Sequence, residues 1–98
     1  MPFLIETFDK PDSQALRLEV RPAHLAYLDA NAHLLLACGA KLSDDGTTAS
    51  GGIYLVDLES REEAKRFIQA DPFHQAALFA DVHIVRWRQA YLNRQNTL

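Results

Sequence analysis

Gly51-Gly52-Ile53-Tyr54-Leu55-Val56-Asp57-Leu58-Glu59-Ser60-Arg61-Glu62-Glu63 compresses a strand, a turn and a helix start into one short run. Ile53 to Leu58 is β-branched, aromatic and apolar, which suits a pleated, half-buried strand. Ser60 follows, with Glu63 three residues later, the spacing at which a hydroxyl and a carboxylate can cap each other's backbone amides. Ala64, Phe67 and Ile68 then recur at helical spacing and form one apolar stripe. A strand that hands over directly to an amphipathic helix is one half of a layered α+β fold.

Reading upstream from that run, Lys41 to Gly52 is polar and rich in Ser, Thr, Asp and Gly, and is read as a loop or wide hairpin connection. Leu34 to Cys38 is too short for a helix and reads as a strand closed by Gly39. Before it, Leu25, Leu28 and Ala32 share a packing face of a helix ending near Ala32-His33. Pro22 has no amide hydrogen, so it either kinks this helix or sits in the first turn of a fresh one. Ala15, Leu16, Leu18 and Val20 supply a preceding helical turn or two, and Asp12 or Ser13 is a natural N-cap. Phe3 to Phe8 is the first strand.

Downstream, Asp71-Pro72 ends the second helix, because a residue before proline avoids the helical region. Phe73 to Phe79 allows a short helical turn, and Val82 to Trp87 alternates as a last strand. Tyr91 to Leu98 has no firm pattern, and residues 89–98 are read as an extended tail on a single domain spanning 1–98. The element order is β-α-β-β-α-β, a ferredoxin-like α+β sandwich with helices over one sheet face. The other face is expected to carry Phe3 or Ile5, Tyr54 or Val56, and Val85 or Trp87. Water-exposed apolar sheet is costly, so a second copy of the chain is expected to cover it.

With 98 residues, 48% of them hydrophobic, the chain is too apolar for disorder, yet small enough that self-association would usefully enlarge its core. The formal charge of −3 disfavours a polyanion-binding surface, so no nucleic-acid partner is expected. No apolar run approaches the roughly 20 residues needed to cross a bilayer, so no membrane partner is expected either. The start Met1-Pro2-Phe3-Leu4-Ile5-Glu6 lacks the basic region and long apolar core of a signal peptide. Cys38 stands alone and cannot close an internal disulfide, which fits a reducing, cytoplasmic setting. It reads as a small buried hydrophobe rather than a reactive thiol.

Chemistry-bearing residues concentrate in two places. Arg21-Pro22-Ala23-His24 brings a guanidinium within one turn of an imidazole, which accepts and returns protons near neutrality. Arg21 could hold a carboxylate, phenolate or enolate as negative charge develops. Asp71-Pro72-Phe73-His74 brings a carboxylate and a second imidazole. Both stretches also have plain structural readings: helices expose Arg and His for solubility, and Asp before Pro is a good terminator. His33 suits a helix C-terminus and His83 a strand face. Four histidines occur without HExxH or paired-cysteine spacing, so no metal site is selected. There is no GxSxG, and Gly51-Gly52 lacks the following Lys and Ser/Thr of a phosphate loop. Trp87 between Arg86 and Arg88 could stack on a base, but packs equally well in a core.

Taken together, the first strand, Arg21-Pro22-Ala23-His24-Leu25, the Leu34-to-Gly39 strand and Asp71-Pro72-Phe73 resemble the YCII-related family, over about Phe3 to Arg88. The resemblance implies a dimeric α+β barrel of ferredoxin-like subunits, similar in architecture to muconolactone isomerase. It also implies a His–Asp active site, falling here on His24 and Asp71. One characterised branch acts in dehydrochlorination of a chlorinated hydroxyquinol. The family's glycine-proline ending of the second strand is Gly39-Ala40 here, which weakens any transfer of pocket shape. The expectation is a cofactor-independent lyase or isomerase acting on a cyclic or aromatic oxygen-bearing substrate. In it His24 and Asp71 form the acid–base pair, and Arg21 and His74 bind substrate. The alternatives are a noncatalytic dimer that binds a small anionic or aromatic ligand and a structural interaction dimer.

Overall fold

The computed structural model describes residues 2–98, and Met1 lies outside the described residues. β1 (Phe3–Asp9) leads into α1 (Gln14–Ala30), a 3-10 turn (Ala32–Leu34) and β2 (Leu35–Leu42). β3 (Ala49–Val56), α2 (Arg61–Gln69), α3 (Pro72–Gln75) and β4 (Phe79–Arg86) follow, and then a small hairpin of β5 (Tyr91–Leu92) and β6 (Gln95–Asn96). The four long strands make one antiparallel sheet in the order β2-β3-β1-β4, so the expected ferredoxin-like α+β architecture is present.

Local chemistry explains most boundaries. Ser60 accepts from the Glu63 amide at 3.1 Å while its own hydroxyl meets the Glu63 carboxylate at 3.0 Å, so the Ser/Glu pair does cap α2. Asp71 is extended at φ −63°, ψ 130°, and its side chain caps α3, with Pro72 in the first turn. Pro22 lies inside one continuous helix, neither ending it nor starting another. The bond it forfeits is to the Leu18 carbonyl one turn back. Both residues lie on the exposed side of α1, where water can take the orphaned group.

The hairpin connection is shorter than the composition suggests. β2 runs on through Leu42 and β3 begins at Ala49, so the polar loop spans only residues 43–48. Gly51 and Gly52 are ladder residues, opposite Phe8 and Thr7 of β1. Glycine is required at 51 by contact: a Cβ there would sit 1.9 Å from the Thr7 carbonyl oxygen and 2.8 Å from Lys41 Cε.

The pleat also corrects the assignment of sheet faces. Phe3, Ile5, Tyr54 and Val56 are buried beneath the helices, with Leu58, Ala64, Phe67 and Ile68 completing that core. The open face instead carries Leu4, Phe8, Ile53, Leu55 and Val85, of which Ile53 is 41% and Val85 49% exposed. Trp87 is half-buried just beyond β4, its amide bonded to the Pro2 carbonyl at 3.0 Å. Apolar residues on both faces make alternation blind to which face the helices choose.

The helices are unequal. α2 buries Ala64, Phe67 and Ile68, whereas α1 buries only His24. The sheet under α1 is built from Cys38, Gly39, Ala40, Ala49 and Gly52, residues too small to fill the space below a helix, and a cavity results. Gly51→Ala should therefore destabilise the protein by about 1–3 kcal/mol, the usual range for forcing atoms into a packed site. A fall in the urea midpoint checks this; an unchanged midpoint would mean that β1 and β3 can separate at no cost.

Candidate active site

The cavity between α1 and the β2–β3 side of the sheet has a volume of about 480 Å³. From α1 it receives Arg17, Leu18, Arg21, His24 and Leu25, one helical stripe; Tyr54 and Phe73 line it from β3 and α3. An apolar hollow of this size with a few convergent polar groups is the usual form of a small-molecule site.

His24 lines it and meets Asp71, buried behind that wall, across 47 positions of chain. Nδ1 lies 2.9 Å from both carboxylate oxygens. Asp71 is 0% exposed, and two further donors serve it: the Tyr54 hydroxyl on Oδ2 at 2.9 Å and the Phe73 amide on Oδ1 at 2.9 Å. The helix-capping geometry of Asp71 and its contact with the imidazole are therefore one arrangement, since the turn that opens α3 aims the carboxylate at α1. A carboxylate accepts only, so Nδ1 donates and the neutral ring keeps its lone pair on Nε2. Phe73 stacks on the imidazole at 4.0 Å and 16°, fixing the ring plane. Burial first, and then the Asp71 charge, push the Tyr54 phenol far above its ordinary range, so it remains an O–H donor.

Arg21 lines the cavity on its exposed side and makes no ion pair among the described residues, which leaves its guanidinium available to a ligand. Arg17, one turn earlier, is committed. It donates to Asp9 Oδ2 at 2.9 Å and to the Gly51 carbonyl at 3.2 Å, and lies 4.8 Å from the Phe73 ring centre. Burial raises the Asp9 carboxyl above the usual carboxylate range despite Arg17, and its Oδ1 is buried without a partner. His74 stands apart. Its ring packs 6.1 Å from Phe79 and does not line the cavity, because the turn that sends Asp71 and Phe73 toward α1 sends the next residue toward β4. Of the four expected residues, His24 and Arg21 line the cavity, Asp71 bonds His24 from behind its wall, and His74 lies apart.

Cys38 is an exposed residue of β2, not a buried one, and its thiol faces the same cavity. Burial, and secondarily the Asp71 charge, push it up to about 11. Tyr54 and Arg17 carry no motif of their own, and Phe73 belongs to the Asp71-Pro72-Phe73 stretch without a role being expected for its ring. Tyr54 belongs to a strand pattern indistinguishable from core, and Arg17 to an ordinary helix surface. No group of three or more His, Cys, Asp or Glu side chains among the described residues is arranged to hold a metal ion. No helix among them is long and apolar enough to cross a membrane.

The YCII-related domain model matches residues 1–88. The chain belongs to the YCII-related family. Proteins named YciI from Escherichia coli O6:H1 (strain CFT073) and Shigella flexneri are each 32% identical to it, over 93% of this chain and 100% of theirs. A solved structure of 5-chloro-2-hydroxyhydroquinone dehydrochlorinase (TftG) from Burkholderia phenoliruptrix AC1100, in complex with 2,5-dihydroxybenzoquinone, superposes with a TM-score of 0.83. It is 34% identical, over 90% of this chain and 94% of that one.

Because the Cys38 thiol is raised to about 11, its alkylation by iodoacetamide should be slow at pH 7 and climb with pH without a plateau below about 11. Removing a negative neighbour favours the thiolate, so Asp71→Asn should move that rise to lower pH. A plateau at the free-thiol value of about 8.5 would show that the cavity wall does not enclose the sulfur.

Proposed function

We propose that this protein is a small-molecule lyase or isomerase of the cofactor-independent kind, acting on an oxygen-bearing six-membered ring in the cavity beneath α1. The observation that carries the reading is the contact of His24 Nδ1 with both oxygens of a fully buried Asp71, at 2.9 Å, beside an accessible hollow. His24 Nε2 removes a proton from a ring hydroxyl or from a carbon next to a carbonyl. Asp71 holds the ring in its tautomer and stabilises the imidazolium that forms. Arg21 draws the developing oxyanion. In the keto tautomer of the ring, where the chlorine-bearing carbon is tetrahedral, the released electron pair expels chloride, so that H⁺ and Cl⁻ leave together as an elimination. Alternatively, it is reprotonated at another carbon, which completes an isomerisation. The dehydrochlorinase of similar structure supports elimination as the first reaction to test.

The working form in this reading is a dimer joined through open sheet faces. Leu4, Phe8, Ile53, Leu55 and Val85 form an apolar surface that a second copy of the chain would cover. Lys41 crosses this face, 3.5 Å from the Phe8 ring centre and 3.3 Å from the Glu6 carboxylate, so its charge is partnered before any contact forms.

A panel of hydroxylated and chlorinated hydroquinones should reveal turnover. His24→Ala should lower kcat by roughly 10²–10⁴-fold, the range of general acid–base assistance. Arg21→Gln should lower kcat/KM by roughly tenfold with most of the loss in kcat, as expected for a charge-assisted hydrogen bond to charge that develops only in the transition state. Sedimentation should report the same assembly for all three proteins. Full turnover in His24→Ala would reject the imidazole as base. Binding of the same rings without turnover, surviving both substitutions, would favour a noncatalytic ligand-binding protein.

A further inference from the structure

Among the described residues, Tyr54 is the one side chain besides His24 that bonds the buried carboxylate, donating its hydroxyl to Asp71 Oδ2 at 2.9 Å. We propose that Tyr54 is a positioning residue whose hydroxyl keeps the Nδ1 proton on the His24 ring and so preserves Nε2 as the proton-accepting atom. The inference rests on the acid–base reading of His24 and adds to it a group that acts through Asp71.

A proton shared between imidazole and carboxylate settles on whichever has the greater affinity for it. Each donor already bonded to the carboxylate withdraws charge and lowers its affinity for another proton. The Phe73 amide occupies Oδ1 at 2.9 Å and belongs to the backbone, so it is present whatever the side chains. Tyr54 occupies Oδ2 and is the part that the side-chain sequence can vary. The other charged and titratable groups around the cavity leave Asp71 to these donors. Arg17 of α1 is bonded to Asp9 and Gly51, Arg21 of α1 lies on the exposed side, and the Cys38 thiol of β2 lines the wall without a hydrogen bond to Asp71. Tyr54 is 2% exposed, Phe67 packs on its ring edge at 6.2 Å, and the ring stands edge-on to His24 at 6.2 Å, so the hydroxyl is held in place by the core. With that hydroxyl deleted, Oδ2 has only the imidazole left to satisfy it.

The test uses the unliganded protein with ¹⁵N-labelled histidine, so it reads out whether or not a substrate is found. In Tyr54→Phe the His24 Nδ1 proton should move downfield and its one-bond coupling to nitrogen should fall, as the proton shifts toward Asp71. In an Asp71→Asn background the same substitution should produce neither change, because the effect passes through the carboxylate. An unmoved resonance, or equal changes in both backgrounds, would overturn the proposal. A second reading uses the unaltered protein: the Tyr54 hydroxyl proton should exchange slowly and lie close to the Phe73 amide proton, and its absence would also overturn it. Absence of turnover together with these signatures would reject the catalytic reading and leave the role of Tyr54 intact.

Discussion

A fully buried Asp71 is the constraint around which the described part of the protein is arranged. An uncompensated charge in a protein interior costs several kcal/mol, so this carboxylate exists only because three donors meet it. They come from three separate elements: His24 of α1, Tyr54 of β3 and the Phe73 amide of α3. One side chain thereby caps a helix, ties α1 to the rest of the fold and orients an imidazole. Removing it would disturb stability and chemistry together, because structure and site share the same hydrogen bonds.

The second constraint is emptiness. Beneath α2 the sheet offers Phe3, Ile5, Tyr54 and Val56, which pack with Phe67 and Ile68 into a closed core. Beneath α1 it offers glycines, alanines and a cysteine, and the helix stands over a hollow lined at its mouth by Leu18, 71% exposed, and Leu25, 40% exposed. A 98-residue chain has little apolar area to spare. Tyr27 and Leu28 of α1 still pack on the core, but the Arg17-to-Leu25 part of the helix stands over the hollow, so the chain forgoes some core there.

Element order was readable because its signals are local. A capping pair at Ser60 and Glu63, a proline after Asp71 and apolar runs of strand length act within a few residues of themselves. What local signals could not decide was longer-ranged. Gly51-Gly52 reads as punctuation until the Thr7 carbonyl is seen pressed against it. Leu4 and Phe3 are equally apolar, so only packing chooses which one faces the helices. Pro22 breaks a helix in isolation, but the rest of α1 carries the backbone past it. For the candidate site, two short motifs and a family resemblance singled out His24, Asp71 and Arg21, of which the structure joins the first two by a hydrogen bond and sets His24 and Arg21 on the cavity wall. Spacing offered nothing for Tyr54 and did not indicate the stacking of Phe73, because that hydrogen bond and that ring contact depend on elements distant in sequence. His74 lies off the cavity for the same reason, since adjacency along α3 is not adjacency across the cavity.

The most direct test follows the His24 ring nitrogens by ¹⁵N spectroscopy while 2,5-dihydroxybenzoquinone, the compound bound to the dehydrochlorinase of similar structure, is added. The account predicts saturable binding with Nε2 moving from the shift of an unprotonated ring nitrogen toward that of a protonated one, while Nδ1 stays bonded to Asp71. Saturable binding that leaves Nε2 unmoved, or binding equally tight after His24→Ala with no change at Asp71, would contradict it.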